Sequence, residues 1–264
     1  MKAIVCVKQV PDTSGKVAVK ADGTLDRASM ATITNPDDLN ALEAALKLKD
    51  ETGCEVVVVT MGPPPAEGML RELLARGADK AVLVSGREFG GSDTFATSQI
   101  LAAAVNKIGV GPEDVVFCGR QAIDGDTAQV GPQIAEKLHL PQVTYVADIQ
   151  KDGNSLTVKR MLEDGYMMVK VQTPCLLTCI KELNQPRYMS VNRIFTCYDK
   201  PMEVFDYNAL KDDSLIEVDT IGLKGSPTNV FKSFTPPQKG AGTMLTGDDT
   251  AAQLAGILAK KHLI

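Results

Sequence analysis

The sequence contains no tryptophan, only two histidines and no extended run of basic residues. Its six cysteines form no C-x-x-C pair, and with so few histidines beside them we predict no metal site. No window approaches the roughly 18 to 20 apolar residues of a membrane-spanning helix. The formal charge of −5 argues against a general nucleic-acid-binding protein, which usually has a basic surface.

The first residues lack the features of a secretory signal. Their apolar stretch spans only about seven residues and is followed by Lys8, Gln9 and Pro11, which favours a first β-strand. Several cysteines lie inside apolar runs, as is usual for reduced thiols in the core of a cytosolic protein. We therefore expect a cytoplasmic protein that inserts into no membrane.

What is present, up to about residue 145, is an alternation of strand-like and helix-like segments. Nearly continuous apolar strands that alternate with helices indicate a parallel sheet covered on both faces. The predicted fold class is therefore α/β, with a three-layer, doubly wound, mostly parallel sheet. The predicted strands cover 3–7, 55–60, 81–84 and 115–118, and the predicted helices follow Asn35, Pro65, Ser92 and Asp126.

The pattern changes after residue 143. The stretch LTVKRMLEDGYMMVKV predicts an antiparallel hairpin with a two-residue turn near Asp164 and Gly165, and a strand over 175–180 follows. Beyond it, only 191–198 and 248–262 have helical patterns. Residues 185–245 have too few periodic apolar residues for a second core, so we predict an arm. The expected domains are 1–184 and 185–264.

Four polar loops follow the predicted parallel strands: KQVPDTSG, MGPPPAEG, SGREFGGSDT and GRQAIDGDTAQ. In a doubly wound sheet the ligand crevice lies at the carboxyl ends of the strands, where the winding reverses. The first loop lacks the G-x-G-x-x-G of a dinucleotide-binding domain, which disfavours an ordinary NAD-dependent dehydrogenase. We find no nucleophile, base and acid in a catalytic pattern and assign no catalytic residue, so a bound cofactor would perform any chemistry.

The stretch GRQAIDGDTAQVGPQIAE, residues 119–136, is the strongest candidate for a binding turn. We expect a turn over 124–127 with Gly125 at positive φ, followed by a helix over 129–138. Backbone amides at that helix start, together with the hydroxyl of Thr127, are suited to a phosphate. A purely structural turn is the alternative.

The polar side chains of this turn have separate expected roles. Two aspartates would repel an anion, so Asp124 and Asp126 are expected to cap the helix or to accept hydrogen bonds from ribose or adenine. Gln129 is expected to face the phosphates beside Thr127.

Two further segments have both a structural and a functional interpretation. Asn35 and Pro36 predict a well-capped helix start, followed by two aspartates that offset the helix dipole. Alternatively, this segment binds an adenine or ribose edge. FGGSDT, residues 89–94, is either a flexible entry to a helix capped by Ser92 or a place where a second nucleotide approaches the backbone.

Together these motifs resemble the β subunit of electron-transfer flavoprotein over essentially the whole chain. The resemblance implies a heterodimer whose α subunit holds the redox flavin and is wrapped by the C-terminal arm of the β subunit. In the housekeeping branch the β pocket holds AMP, whereas in the electron-bifurcating branch it holds a second FAD that accepts a hydride from NADH. The motifs are KQVPDT, TNPDD, TMGPP, ARGADKAVL, GRQAIDGDTAQVGPQIAE, VKRMLEDG and LNQPRYMS.

The resemblance also implies site residues. It places a partner-recognition segment at 184–198 with Val191 as its apolar anchor, whereas the housekeeping branch usually has leucine there, followed by basic residues. It places NAD contacts at Phe89, Gly90, Gly91 and Thr94. It places the nucleotide pocket at Cys6, Asn35, Pro36, Asp37, Asp38, Met61, Gly119, Arg120, Gln121, Ala122, Ile123, Asp124, Gly125, Asp126, Thr127, Ala128, Gln129 and Val130.

Four stretches resemble the bifurcating branch: VPDT at 10–13, SDTFATS at 92–98, GDTAQVGPQ at 125–133 and GLKGSPTNVFKSF at 222–234. They imply a role in anaerobic energy metabolism, in which electrons from NADH go to ferredoxin or flavodoxin and, through the α-subunit FAD, to an acyl-CoA dehydrogenase. The alternatives are a housekeeping β subunit with AMP and a free-standing adenine-nucleotide-binding protein.

Overall fold

The computed structural model describes residues 1–12, 31–228 and 240–264. The described residues fall into two compact units, the first containing 1–12 and 31–228 and the second containing 240–264. Thr13 of the VPDT motif and residues 229–234 of the last motif lie outside the described residues. Within the described part of the chain, no helix is both long enough and apolar enough to cross a membrane.

The elements of the first unit alternate between strands and helices, and the second unit contains one helix. The strands are β1 Lys2–Cys6, β2 Gln9–Pro11, β3 Thr32–Thr34, β4 Glu55–Met61, β5 Lys80–Val84, β6 Val115–Gly119, β7 Gln142–Asp152, β8 Ser155–Met161, β9 Tyr166–Gln172, β10 Cys175–Cys179 and β11 Met202–Phe205. The helices are α1 Pro36–Thr52, α2 Glu67–Arg76, α3 Thr94–Ile108, α4 Val130–Lys137, α5 Val191–Thr196, α6 Tyr207–Leu210 and, in the second unit, α7 Thr250–Lys260.

Nine of the described strands form one sheet in the order β11-β5-β4-β1-β6-β10-β7-β8-β9. The seven strands from β11 to β7 are parallel, and β8 and β9 are antiparallel to their neighbours. The chain proceeds outward from β1 through β4 to β5 and then returns past β1 to β6. The winding therefore reverses between β1 and β6, and the predicted doubly wound α/β fold is confirmed.

Alternate residues of the buried strands face opposite helix layers, as expected for a sheet covered on both faces. Val56 and Val58 of β4 pack in the cluster that contains α1 and α2. Val57 and Val59 pack in the cluster that contains α3 and α4. Three layers result, and they leave the carboxyl ends of β1, β4, β5 and β6 at one edge.

The predicted hairpin is present as β8 and β9, but its turn differs from the prediction. The strand pairing ends at Met161 and Tyr166, and the amide of Leu162 donates to the carbonyl of Gly165. The apex is therefore Glu163 and Asp164, one residue earlier than the predicted Asp164 and Gly165.

The first compact unit continues beyond the expected boundary at 184/185. Strand β11 pairs with β5 at the edge of the sheet, and Ile216 and Ile221 are buried in the core. Residues 185–228 thus pack on the α/β unit instead of forming an arm from residue 185. The pattern gave little indication of β11, because Glu203 and Val204 in this four-residue strand are both exposed. That the C-terminal region wraps a partner stays a prediction.

Candidate functional site

The candidate site lies where the winding reverses, at the carboxyl ends of β1 and β6. Cys6 ends β1, and Cys118 is its direct neighbour on β6. Both side chains face the layer of α3 and α4, as does Met61 at the end of β4. A hydrogen bond with Cys6, together with burial, raises the pKa of the Cys118 thiol well above its ordinary value of 9.0. This thiol therefore stays neutral beneath the site.

Asp38 joins the loop after β1 to the end of β6. Its buried carboxylate accepts hydrogen bonds from the amides of Lys8, at 2.8 Å, and Gly119, at 2.9 Å. Burial raises the pKa of Asp38 to about 7, although these hydrogen bonds oppose the shift. Besides its position in the first turn of α1, Asp38 thus fixes the two loops that frame the reversal point.

Position 119 requires glycine, because the start of α1 packs directly against it. A Cβ atom here would lie 2.3 Å from Oδ1 of Asp38 and 2.7 Å from the main-chain carbonyl carbon of Asp37. Gly131 in α4 is similarly close to its neighbour, since its Cβ would lie 2.7 Å from Cγ2 of Thr178. These two glycines let the starts of α1 and α4 approach the strand ends.

Asn35 is the N-cap residue of α1 and Pro36 begins the helix, as predicted, but the side chain of Asn35 makes no capping hydrogen bond. Its buried amide instead donates to the carbonyl of Gln121 at 2.8 Å and accepts from the amide of Ile123 at 3.1 Å. Both partners lie in the loop after β6, more than 80 residues away in the sequence. The side chain thus anchors the candidate binding loop, a role that local capping rules do not indicate.

Asp37 and Arg120 form an ion pair beside this anchor, with 3.4 Å between Oδ2 and Nε. Neither atom makes a hydrogen bond within the described residues, although both are buried. Burial raises the pKa of Asp37, and the charge of Arg120 opposes that shift. Oδ2 of Asp37 and Nε of Arg120 are therefore available to form hydrogen bonds at the edge of the site.

The loop over 120–129 projects from the sheet edge and is exposed over residues 124–127. Its two aspartates do not cap α4. Asp124 instead pairs with Nζ of Lys8 at 2.7 Å, and Asp126 accepts from Nε2 of Gln121 at 2.7 Å. The sequence analysis did not predict the ion pair of Lys8, although a residue directly after β1 must lie at the same sheet edge as the loop after β6.

The backbone of this loop also differs from the prediction. Asp126 and Ala128, not Gly125, have positive φ, each at 52°. The amides of Gly125 and Asp126 both donate to the carbonyl of Ala122, so an ordinary turn forms first and the left-handed residues follow it. Aspartate tolerates the left-handed region better than most residues, which fits its presence at 126.

The FGGSDT loop lies beside the candidate binding loop, since Oγ1 of Thr94 donates to Oε1 of Gln129 at 2.9 Å. Helix α3 is capped by Asp93, which accepts from the amide of Ala96 at 3.1 Å. The predicted cap, Ser92, instead donates to the carbonyl of Phe89.

The predicted NAD contacts in this loop differ in exposure. The side chain of Phe89 is buried, whereas Gly90 and Gly91 are exposed and Thr94 is half-buried. A ligand at the surface would therefore meet the main chain of residues 89–91 and the side chain of Thr94.

The GLKGSPT segment packs on the same loop. The carboxylate of Asp93 accepts from the amide of Thr228 at 3.0 Å and from its hydroxyl at 2.7 Å, and Ser226 Oγ accepts from the amide of Asp93 at 2.8 Å. Leu223 donates its amide to the carbonyl of Gly90 at 2.9 Å. Two motifs more than 120 residues apart in the sequence thus form one structure next to Gln129.

The predicted recognition segment lies against α1 and α2, away from these loops. Val191 begins α5 and is 72% exposed. Arg187 fixes the segment through two hydrogen bonds from its side chain to the buried Glu43, at 2.9 and 3.0 Å, and through Asp50 at 2.7 Å. The segment therefore presents exposed apolar side chains from a rigid base.

The residues at the reversal point fit an adenine nucleotide. Gln129 makes no capping hydrogen bond to the start of α4, which leaves the first amides of that helix open to a phosphate. Lys8 and Arg120 offset the charges of Asp124 and Asp37 through ion pairs, which reduces the repulsion of a phosphate by these two carboxylates. Thr127 is exposed in the same loop and adds a hydroxyl.

A doubly wound sheet with polar loops at its reversal point defines an α/β protein of the nucleotide-binding type. Residues 22–206 match the electron transfer flavoprotein domain family. The chain belongs to the electron-transfer flavoprotein family and is of its β-subunit type.

Relatives that match over the full length of both chains include the following three. The chain is 69% identical to the acryloyl-CoA reductase electron transfer subunit gamma of Anaerotignum propionicum. It is 52% identical to the caffeyl-CoA reductase-Etf complex subunit CarD of Acetobacterium woodii. It is also 50% identical to the electron transfer flavoprotein subunit beta of Clostridium acetobutylicum.

Proposed function

We propose that this chain is the β subunit of an electron-bifurcating electron-transfer flavoprotein. It binds FAD at the reversal point of the sheet and takes electrons from NADH. The complex divides them between ferredoxin or flavodoxin and, through the FAD of an α subunit, an acyl-CoA dehydrogenase. The relatives named as subunits of acryloyl-CoA reductase and caffeyl-CoA reductase support a partner that acts on acyl-CoA substrates.

The main support from the structure is the convergence of three bifurcating-branch motifs. Thr94 of the second motif contacts Gln129 of the third, and Asp93 beside it binds Thr228 of the fourth. A second substrate bound next to the nucleotide would meet this composite surface. The family resemblance alone did not require these motifs to be neighbours.

In this proposal the protein supplies binding and position. Bound FAD would accept two electrons as a hydride and pass them on singly. The amides that begin α4, with Thr127 and Gln129, hold the diphosphate, while Asp38 and Asn35 keep the loop in place. The main chain over 89–91 and the side chain of Thr94 bind the dinucleotide donor.

We also propose separate surfaces for the two protein partners. The segment 184–198 docks the dehydrogenase through Val191, which is exposed on a base held by Glu43. The region after residue 228 wraps the α subunit. The recognition segment 184–198 belongs to the first compact unit, although its proposed role is to contact a partner.

A coupled assay on the coexpressed heterodimer tests the function. NADH oxidation should require both ferredoxin and an acyl-CoA dehydrogenase with its enoyl-CoA substrate, and omission of either acceptor should largely abolish it. NADH oxidation at an unchanged rate with only one acceptor would contradict bifurcation. Failure of NADH to reduce the complex at all would favour the housekeeping alternative with AMP in this pocket.

A further inference from the structure

A cleft opens where the large sheet divides. Strand β10 pairs with the start of β7, at Gln142 and Val143, whereas β8 pairs with β7 only from Val146 onward. The first residues of β7 therefore separate from the hairpin strands. The resulting cavity has a volume of about 310 Å³ and is lined by Gln142, Val143, Thr144, Arg160 and Val169.

Arg160 is the one charged residue among those that line this cleft. Its Nε is buried and makes no hydrogen bond, and its guanidinium forms no ion pair with any described residue. Below it, Val143 is buried and Val169 packs against the core. A buried Nε–H without an acceptor is unfavourable, so the cleft is suited to a carboxylate on a short apolar stem that reaches this nitrogen.

Exposed apolar side chains lie next to the residues that line the cleft. Met167 pairs with Arg160 across the hairpin and is 49% exposed. Leu162 is 40% exposed, and Tyr145, which follows Thr144, is 38% exposed. Strand β9 is also an edge strand with no neighbour on its outer side among the described residues. Arginine, tyrosine and methionine are enriched at protein interfaces relative to the rest of the surface.

We propose that the cleft receives an aspartate or glutamate side chain of the partner subunit, which docks on the β8–β9 hairpin and pairs with Arg160. This inference rests on the proposed function only in assuming that the chain works in a heterodimer. A protein is favoured over a small carboxylate because the apolar rim extends well beyond the cleft, and a small molecule would not cover it.

The test is the dissociation constant of the coexpressed heterodimer for wild type and Arg160→Met, measured by subunit exchange. Methionine retains the apolar stem and removes the charge. We expect a 10- to 100-fold weaker complex, which corresponds to about 1.4 to 2.8 kcal/mol at about 1.4 kcal/mol per tenfold change. Arg160→Lys should recover part of this loss, which a defect in packing alone would not allow.

Lys159→Met is the matched control, because Lys159 is adjacent in β8 but points to the other face and stacks on Tyr166. It should weaken the complex less than threefold. An equal loss in both methionine variants, or no loss in Arg160→Met, would overturn the inference. Arg160-dependent stabilisation of the free chain by malonate, together with normal assembly of Arg160→Met, would also overturn it in favour of a small-molecule site.

The proposed function and this inference fail in different ways. A wild-type chain that forms no heterodimer contradicts the proposed function, and the inference with it. A wild-type heterodimer that is matched in affinity by Arg160→Met contradicts the inference alone.

Discussion

At the scale of single residues, the site depends on contacts between positions that are distant in the sequence. Asp38 binds the amides of Lys8 and Gly119, and Asn35 binds the loop after β6. The residue types at these positions could be recognised from the sequence, and so could the helix that they begin. Their partners could not, because capping and turn rules consider only neighbours within a few residues.

Gly119→Ala tests the close approach of α1 to β6. The added Cβ would lie 2.3 Å from Oδ1 of Asp38, so the helix start must move, and we expect a loss of about 1 to 3 kcal/mol in the free energy of unfolding. Urea denaturation measures this loss. Gly125→Ala is the control, because no atom lies within 4 Å of its Cβ position and we expect a change within about 0.5 kcal/mol. Equal effects of the two substitutions would refute the proposed clash.

Asp38→Asn tests the buried carboxylate through pH. Burial raises the pKa of Asp38 from 3.8 to about 7, so between these values the folded protein retains a proton that the unfolded chain has lost. Protonation of Asp38 stabilises the folded state fully below about pH 3.8, and this stabilisation is lost as pH rises through about 7. The stability of wild type relative to Asp38→Asn should therefore fall by about 1 to 4 kcal/mol between pH 4 and 8.

Urea denaturation of both proteins at each pH measures this difference. Asp50→Asn provides the contrast, because the hydrogen bond from Arg187 lowers the pKa of Asp50 below 3.8. Asp50 is then ionised in both states between pH 5 and 8, and its substitution should add no slope there. A stability difference for Asp38→Asn that does not vary with pH would show that the buried carboxylate is not protonated in this range.

At the scale of elements, the helices and buried strands of the α/β unit were predictable because their apolar periodicity is strong. Strands β2, β3, β7 and β11 were not predicted. Strand β7 alternates between buried and exposed residues irregularly around its bulge, and β11 has only one buried residue. Strands of this kind form through pairing with strands already in place, and the local sequence contains little of that information.

Glu43→Gln tests how α1 holds the recognition segment. Glu43 is buried and binds both the amide and the guanidinium of Arg187, so the neutral amide should weaken three hydrogen bonds. We expect a loss of about 2 kcal/mol and about tenfold faster amide exchange over 184–198, measured by hydrogen exchange with mass spectrometry. Glu51→Gln, on the exposed side of the same helix, should leave the exchange unchanged. If Glu43→Gln exchanges at the wild-type rate, this ion pair does not fix the segment.

At the scale of the whole molecule, the sequence was sufficient for the fold class and the family, because several specific motifs occur in order along the chain. The location of the candidate site also followed, since loops after parallel strands share one edge. The identity of the ligand did not follow. AMP and FAD share an adenosine phosphate, and the polar groups at this edge are suited to that common part. Only the space and contacts beyond it distinguish the two ligands.

The most direct test of the account is the nucleotide content of the coexpressed heterodimer, purified without added cofactor and analysed after denaturation. The account predicts two FAD and no AMP per heterodimer. Asp38→Asn should lose the β-chain FAD in this assay, whereas the control Asp50→Asn, on the same helix but outside the pocket, should retain it. One FAD and one AMP per wild-type heterodimer would contradict the central claim.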